Sequence, residues 1–300
     1  MSFTSTAKDE LSKIELSNID NISELSAIIQ SNAVIDKKIT IMTENSSVAR
    51  RIFTLIKNVC NINPKVSVRK GYNYNKKMHY ILEINNNKVV LKNLGIKKDV
   101  PEEFVYADDE LVKAYLKGVF LMCGSINDPK TSRYHLEFNL NNKKYAEFVN
   151  SLLNQFELNS KVLARENRYM IYIKEAEKIS DFLRIVGAYN AVLYYEDIRI
   201  YRDHKNMTNR LNNCEQANVD KTIETANRQL KEIEKIENSV GLDILNDKEK
   251  EVAIYRKKYP EASLLELAEI ISFETNSTIT KSGLYHRFRK ISSIAKKITE

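Results

Sequence analysis

The residues best suited to chemistry lie near the C-terminus, on a segment with helical periodicity. Its apolar side chains predict the buried stripe of a helix from Gly283 to about Lys297: Leu284, Phe288, Ile291 and Ala295. Ser282, His286 and Arg289 fall on the opposite side, with Tyr285 and Lys290 on the flanks. Donors and cations on the outer face of a helix can contact the base edges and phosphates of DNA. The candidate DNA-binding residues of this segment are Lys281, Ser282, Tyr285, His286, Arg287, Arg289 and Lys290. For His286, a solvent-exposed surface histidine is the alternative interpretation.

Two helices are predicted before this one, because the chain carries two capping-box patterns. Asn246 with Glu249, and Ser263 with Glu266, have the spacing in which both side chains bond to the first turn of a helix. The second helix is predicted over residues 263–272. The polar turn that follows, from Ser272 to Lys281, is longer than the usual three or four residues of a helix-turn-helix. Standard docking geometry on DNA is therefore not assumed.

Positive charge is concentrated in two places along a chain whose formal net charge is +7. Residues 36–77 contain ten Lys or Arg against Asp36 and Glu44, and residues 281–297 contain six without an acidic residue. One such run is equally consistent with a solvated surface, but two separate runs favour a nucleic-acid partner. The candidate contacts in the first run are Arg69, Lys70, Lys76 and Lys77.

Several other functional classes are disfavoured. The four histidines are scattered and show no metal-ligand spacing, so no metal site and no cofactor is predicted. The three cysteines, Cys60, Cys123 and Cys214, follow no pairing pattern, which fits a reducing cytosol. The chain has no apolar stretch of about 18 residues and its opening lacks the features of a secretory signal. We therefore expect a cytoplasmic protein with no membrane partner.

The first part of the chain, to about residue 190, alternates strands and helices. Strands are predicted over residues 39–43, 65–70, 78–84, 134–140, 161–165 and 169–174, and helices over 48–60 and 144–156. Three segment pairs recur in the same order, 91 to 96 residues apart: 25–33 with 116–124, 65–69 with 161–165, and 90–96 with 182–188. This indicates two related halves. Residues 188–240 read as mostly helical connecting structure that ends near Gly241.

The first repeated pair predicts two closely packed helices. In the second copy, Gly118 and Gly124 lie within or at the end of a helix, although the chain has only seven glycines. A glycine inside a helix costs about 1 kcal/mol relative to alanine, so close contact with another helix would explain it. The matching residues of the first copy, Ala27 and Ala33, are also small. An ordinary buried helix with incidental small residues is the alternative.

The nine-residue segments 25–33 and 116–124 resemble degenerate copies of the LAGLIDADG motif of homing endonucleases. That resemblance implies a central helix pair, one helix from each half, and two sheets that form a saddle over DNA. In active members the eighth position is an acidic metal ligand. Here it is Asn32 and Cys123, and a neutral amide and a thiol cannot supply the anionic oxygens that Mg²⁺ prefers. We therefore expect no catalytic residues and no enzymatic activity. Asp128 and the acidic run 108–110 lie outside the motif.

Five further segments resemble the WhiA family of sporulation and cell-division regulators: residues 182–191, 198–203, 209–218, 281–291 and the opening 2–11. The resemblance covers essentially the whole chain. It implies an α+β fold, with a two-half LAGLIDADG-like domain over 1–190 (halves 1–100 and 101–190), a helical linker over 191–241 and an all-α helix-turn-helix domain over 242–300. Cys214 in the linker is interpreted as a buried or helix-packing thiol.

Two functions fit these observations. The first is a sequence-specific transcription regulator of the WhiA type, involved in sporulation, cell division or chromosome segregation. The alternative is a nucleoid-associated, division-linked DNA-binding protein without promoter-specific control. Double-stranded DNA is the expected partner in both, and another transcription factor or RNA polymerase is a candidate protein partner.

Overall fold

A computed structural model describes residues 2–15, 17–71, 78–85, 88–131, 133–166 and 168–298. The chain forms two compact units, Met1–Arg202 and Asp203–Glu300. The helices are α1 Phe3–Leu11, α2 Asn18–Asn32, α3 Ser46–Cys60, α4 Lys88–Asn93, α5 Asp109–Cys123, α6 Lys143–Gln155, α7 Ala176–Ile185, α8 Tyr189–Ser239, α9 Asp247–Lys258, α10 Leu264–Thr275 and α11 Lys281–Lys297. The strands are β1 Val34–Ile35, β2 Lys38–Thr43, β3 Lys65–Lys70, β4 Met78–Asn85, β5 Gly124–Ile126, β6 Leu136–Leu140, β7 Lys161–Arg165 and β8 Arg168–Ile173. None of the helices in these described ranges has the length and apolar character that crossing a membrane requires.

The first unit consists of two halves with the same topology, as the repeats predict. One half runs α2-β1-β2-α3-β3-β4-α4 and the other α5-β5-β6-α6-β7-β8-α7. Both sheets are antiparallel, with the strand orders β1-β2-β4-β3 and β5-β6-β8-β7. The three repeated segment pairs fall on α2 with α5, on β3 with β7, and at the last helix of each half. The predicted α+β class and the two-half arrangement are confirmed.

Helices α2 and α5 cross so closely that one position has no room for a side chain. A Cβ atom built on Gly118 would lie 2.5 Å from the carbonyl oxygen of Glu24 and 2.8 Å from the Cβ of Ala27. Real Cβ atoms do not approach backbone oxygen to 2.5 Å, so this crossing requires glycine. The sequence-based interpretation of Gly118 as a helix-contact residue is confirmed.

A buried group of charges adjoins this crossing. Glu24 on α2 is fully buried and its carboxylate accepts two hydrogen bonds from Arg51 on α3, at 3.1 and 2.7 Å. Lys117, which precedes the crossing glycine on α5, has its Nζ 3.2 Å from Glu24 Oε2. Burial lowers the pKa of Lys117, and the carboxylate of Glu24 opposes part of that shift. A buried carboxylate needs such partners, and removing one partner from a buried pair is strongly destabilising.

The N-terminal helix α1 joins the two halves to the start of α8. Thr4 makes two hydrogen bonds to Ile126 of strand β5. Its Oγ1 donates to the carbonyl and accepts from the N–H of that residue, each at 2.8 Å. The carboxylate of Glu10 accepts the N–H groups of Asn190 and Ala191, at 2.8 and 3.0 Å. These N–H groups have no intrahelical partners at the start of a helix, and a carboxylate is favoured there.

The second unit is a helical domain with its own core. That core is formed by Ile233 and Ile236 of α8 together with apolar residues of α9, α10 and α11. Both predicted capping boxes are present, at Asn246 with Glu249 and at Ser263 with Glu266. Helix α8 continues unbroken to Ser239, and Gly241 follows with a φ of +79°.

One sequence-based expectation about this unit is wrong, and another has different bounds. The turn before the last helix is shorter than the predicted span from Ser272 to Lys281, because α10 extends to Thr275 and ends at Asn276 in the left-handed region. Helix α11 also begins at Lys281 rather than Gly283, so residues 276–280 connect the two helices. This turn of five residues still exceeds the usual three or four, as expected. The wrong expectation concerns Cys214, which is exposed rather than buried. It was interpreted as a packing thiol because no basic or metal-like residues near it indicated reactivity, but this stretch of α8 is exposed on all sides.

We expect the Gly118→Ala substitution to destabilise the first unit by about 1–3 kcal/mol, because its methyl group would overlap the Glu24 carbonyl. Scanning calorimetry of the full chain would show this as a fall of about 2–4 °C per kcal/mol in the melting temperature of that unit. Gly283→Ala is the matched control. Its Cβ would meet nothing nearer than 3.4 Å, and alanine is the better helix former. Equal effects of the two substitutions would show that the crossing tolerates a methyl group.

Candidate nucleic-acid interface

Helix α11 separates an apolar face from a polar one, as its periodicity predicts. Thr280 caps the helix by accepting the N–H of Gly283 at 3.1 Å. The four predicted core residues are buried: Leu284, Phe288, Ile291 and Ala295. The opposite face is exposed to solvent and brings together five candidate residues: Lys281, Ser282, Tyr285, His286 and Arg289. Ser293 extends this face by one further turn, and the sequence analysis did not single it out.

The other two candidates on α11 interact with α9. The guanidinium of Arg287 lies 3.4 Å from a carboxylate oxygen of Glu251 and from the carbonyl of Lys248, and the side chain is half-buried. Lys290 is more exposed, with its Nζ 3.8 Å from Glu249. Arg287 therefore holds α11 against α9, while the free surface of the helix lies around Arg289.

A buried arginine keeps this domain together beneath the exposed face. Arg256 on α9 is 1% exposed, and its Nη1 donates to the carbonyls of Ala262 at 2.6 Å and Tyr259 at 3.4 Å. Its guanidinium also lies 5.4 Å from the centre of the Phe288 ring on α11, within cation–π range. Burial lowers the pKa of this group. The side chain thus connects the α9–α10 turn to the core of α11.

In the first sheet, strand register decides which cations share a surface. The buried pairs Ile39 with Ile84 and Ile41 with Leu82 mark the face covered by α3. Directly paired residues of antiparallel strands lie on the same face, and successive residues alternate. The opposite, open face therefore contains Lys38, Lys65 and Arg69, with Glu83 as its acidic residue.

Lys70, predicted for the same surface as Arg69, lies on the other face because it is the next residue along β3. A one-residue step moves a side chain from one face of a strand to the other. The other two predicted contacts in residues 36–77, Lys76 and Lys77, lie outside the described residues.

The second sheet presents a similar open face, which the sequence analysis missed. Its register places Lys161, Arg165 and Arg168 on the side away from the buried Phe138–Ile171 pair, with Glu137 as the acidic residue. Tyr172 lies on the same face. The Nζ of Lys174 is 4.8 Å from its ring centre, and the His135 ring stacks on it at 6.0 Å. The repeat contained the signal, because the offset of 96 aligns Lys65 with Lys161 and Arg69 with Arg165.

The motif positions that hold metal in active homing endonucleases carry no acid. Asn32 ends α2 and is exposed, while Cys123 ends α5 and donates from Sγ to the carbonyl of Ser31 at 3.7 Å. Burial raises the pKa of the Cys123 thiol to about 12, and nearby Lys8 opposes part of that shift. The thiol is therefore protonated at neutral pH. In the described part of the chain, no three His, Cys, Asp or Glu side chains are grouped as a metal site would need.

Three family models match successive parts of the chain. They are the WhiA N-terminal LAGLIDADG-like domain over residues 18–97, the WhiA LAGLIDADG-like domain over 112–205 and the WhiA C-terminal HTH domain over 208–295. The "Probable cell division protein WhiA" of Staphylococcus aureus (strain JH9) is 42% identical over 309 residues, covering 99% of this chain and 98% of the relative. The protein of strain Newman is equally similar.

Solved structures agree with these matches. The crystal structure of full-length DUF199/WhiA from Thermatoga maritima superposes with a TM-score of 0.61 at 27% identity, over 99% of both chains. That of the N-terminal LAGLIDADG domain of DUF199/WhiA gives a TM-score of 0.52 at 24% identity, over 62% of this chain and 90% of the other.

Proposed function

This chain belongs to the WhiA family, and from that premise we propose that it is a sequence-specific DNA-binding regulator of transcription which does not cut DNA. We propose that it acts on the nucleoid, in the cytoplasm, and that the genes it controls serve cell division, the process in the name of its Staphylococcus aureus relatives. The supporting observation is the exposed face of α11, where hydrogen-bond donors and cations lie opposite a fully packed core stripe.

The chemistry of that face suits direct reading of bases. Arginine can donate two parallel hydrogen bonds to the major-groove edge of guanine, and serine can bond to several bases. Arg289 and His286 lie one turn apart on a helix anchored by a cap, a buried stripe and Arg256. Such anchoring matters because a base contact gives specificity only when its donor is held in position.

The open faces of the two sheets supply a second contact in this proposal. Each carries three strand cations against one carboxylate, so each favours the DNA backbone. Lysine and arginine contacts to phosphates position a protein without reading sequence, and they release counterions. We therefore assign affinity to the sheets and specificity to α11.

The proposal that the chain does not cut DNA rests on donor chemistry. Mg²⁺ prefers anionic oxygen ligands, whereas the two motif positions offer an exposed amide and a buried, protonated thiol. Neither can hold the ion that would activate water for strand cleavage.

Arg289→Ala should weaken binding to the preferred sequence by about 1–3 kcal/mol and relax selection at one base position. The preferred sequence would first be obtained by selection from random DNA with the full chain, and affinities measured by fluorescence anisotropy. Lys297→Ala, at the end of the same helix, is the control and should weaken all sequences alike. A wild-type protein that selects no sequence would indicate a nucleoid protein without promoter-specific control. Unchanged selection by Arg289→Ala would show that the reading face lies elsewhere.

Replacing Arg69 and Arg165 with Ala should flatten the salt dependence of DNA binding. Each lost phosphate contact lowers the log–log slope by about 0.9, so the double variant should lose nearly two units while its preferred sequence is unchanged. Lys70→Ala is the matched control, because it removes a cation from the opposite face of the same strand. If the double variant keeps the wild-type slope, the saddle is not a DNA contact. A protein partner, such as another transcription factor or RNA polymerase, then becomes its better assignment.

Incubation of the pure protein with DNA carrying its selected site should leave the duplex intact in Mg²⁺ or Mn²⁺. Supercoiled and linear substrates, analysed on agarose gels over hours, would detect single- and double-strand breaks. Site-specific cleavage that persists through repurification would contradict the proposal, whereas random nicking that disappears on repurification would mark a contaminant.

A further inference from the structure

A cavity of about 230 Å³ lies in the second unit where α8, α9, α10 and α11 meet. Lys221, Thr222 and Thr225 line it from α8, Arg256 from α9, and Lys281 from the start of α11. The remaining wall is the first turn of α10 with the two residues before it, 262–265. Three cations and three hydroxyl groups line this space, and none of the described residues that line it is acidic.

The first turn of α10 lines this cavity and has backbone donors that its capping box does not use. The capping box uses the N–H groups of Ser263 and Glu266, at 2.7 and 3.2 Å. The N–H groups of Leu264 and Leu265 precede any intrahelical acceptor, so they can bond to a ligand. The N-terminal end of a helix also carries partial positive charge, which favours an anion.

Arg256 supplies an independent observation. Its side chain is 1% exposed, and its Nη1 is occupied by two backbone carbonyls, yet its buried Nε has no hydrogen-bond partner within the described ranges. A buried donor without an acceptor costs free energy that a bound acceptor would recover. Lys221 and Lys281, both exposed, stand at the edge of the same cavity. An anion in this cavity would lie among the three cations Lys221, Arg256 and Lys281.

We propose that this cavity binds a phosphate group, and that the group is a phosphodiester of the DNA backbone next to the bases that α11 contacts. The inference rests on the proposed DNA-binding function and adds to it a role for the long helix. Lys221 makes α8 part of the DNA interface rather than only a connection. The phosphate would be held between α8 and the starts of α10 and α11, which fixes how far along the duplex the reading helix lies.

The test uses the full chain and its selected duplex, in which one linkage at a time is replaced by a neutral methylphosphonate. In the wild-type protein, one linkage beside the site of Arg289 contact should lower affinity roughly tenfold, as expected for a charge-assisted contact. In Lys221→Gln the same linkage should have little further effect, because the partner of that phosphate is already gone. Lys221→Arg should restore both the affinity and the sensitivity to that linkage.

The matched control is Lys205→Gln, which removes an exposed cation from the same helix more than four turns away. It should keep the wild-type affinity and the same sensitive linkage. If DNA binding is normal but no linkage couples to Lys221, the phosphate site is wrong while the proposed function stands.

A second measurement covers the case in which the protein selects no duplex, so that the proposed function itself fails. Thermal melting of the second unit would then be followed as inorganic phosphate is added. A rise for the wild type that is absent in Lys221→Gln would support the anion site and overturn its assignment to DNA. Equal melting curves would overturn the site altogether.

Discussion

The close contact between α2 and α5 is the constraint on which the first unit depends. A helix pair can approach to backbone contact only where one partner lacks a side chain, and Gly118 meets the Glu24 carbonyl at that point. Since each helix begins one half and leads directly into its sheet, the crossing fixes where both sheets lie within this unit. The buried Glu24–Arg51–Lys117 group reinforces the arrangement. A shift of either helix would leave a buried charge without its partner, which costs more than the loss of an apolar contact.

The sequence predicted these features to different degrees, for physical reasons. Strand and helix periods are local, so β3, β7 and the capping boxes were found within a residue or two. The repeat located the helix pair because glycine inside a helix is costly and therefore informative. The buried charges were missed, because Glu and Lys usually lie on protein surfaces. Only the fold shows that Glu24 and Lys117 are buried. The exposure of Cys214 was missed because the lack of a basic or metal-like neighbourhood was interpreted as packing, whereas this stretch of α8 has no core around it.

In the candidate site, too, some features could be predicted from the sequence and others could not. Which residues of α11 face outward follows from a 3.6-residue period and needs no partner helix. Strand register decides which of two adjacent cations on β3 lies on the open face. The sequence analysis predicted Arg69 and Lys70 as contacts on the same surface and could not assign them to opposite faces. The bounds of the turn before α11 were also not predicted, because Ser272 accepts the N–H of Ile279 at 3.0 Å and closes the turn from within α10. A bond from a side chain to the backbone seven residues away leaves no periodic pattern in the sequence.

A neutral hydrogen bond joins Cys123, one of the two positions that match the metal ligands of active homing endonucleases, to the residues around it. Two carboxylates at the ends of α2 and α5 would repel each other unless a cation lay between them. Here Cys123 donates to the Ser31 carbonyl, and the Ser31 hydroxyl continues through Tyr145 to Tyr115 in a chain of hydrogen bonds at 3.1 and 2.9 Å. Neutral groups therefore bond to one another beside the ends of these two helices. The two open sheet faces carry strand cations, and the proposed contact with the DNA backbone through them needs positive charge but no reading of bases. The proposed specificity lies in the second unit, which has a core of its own.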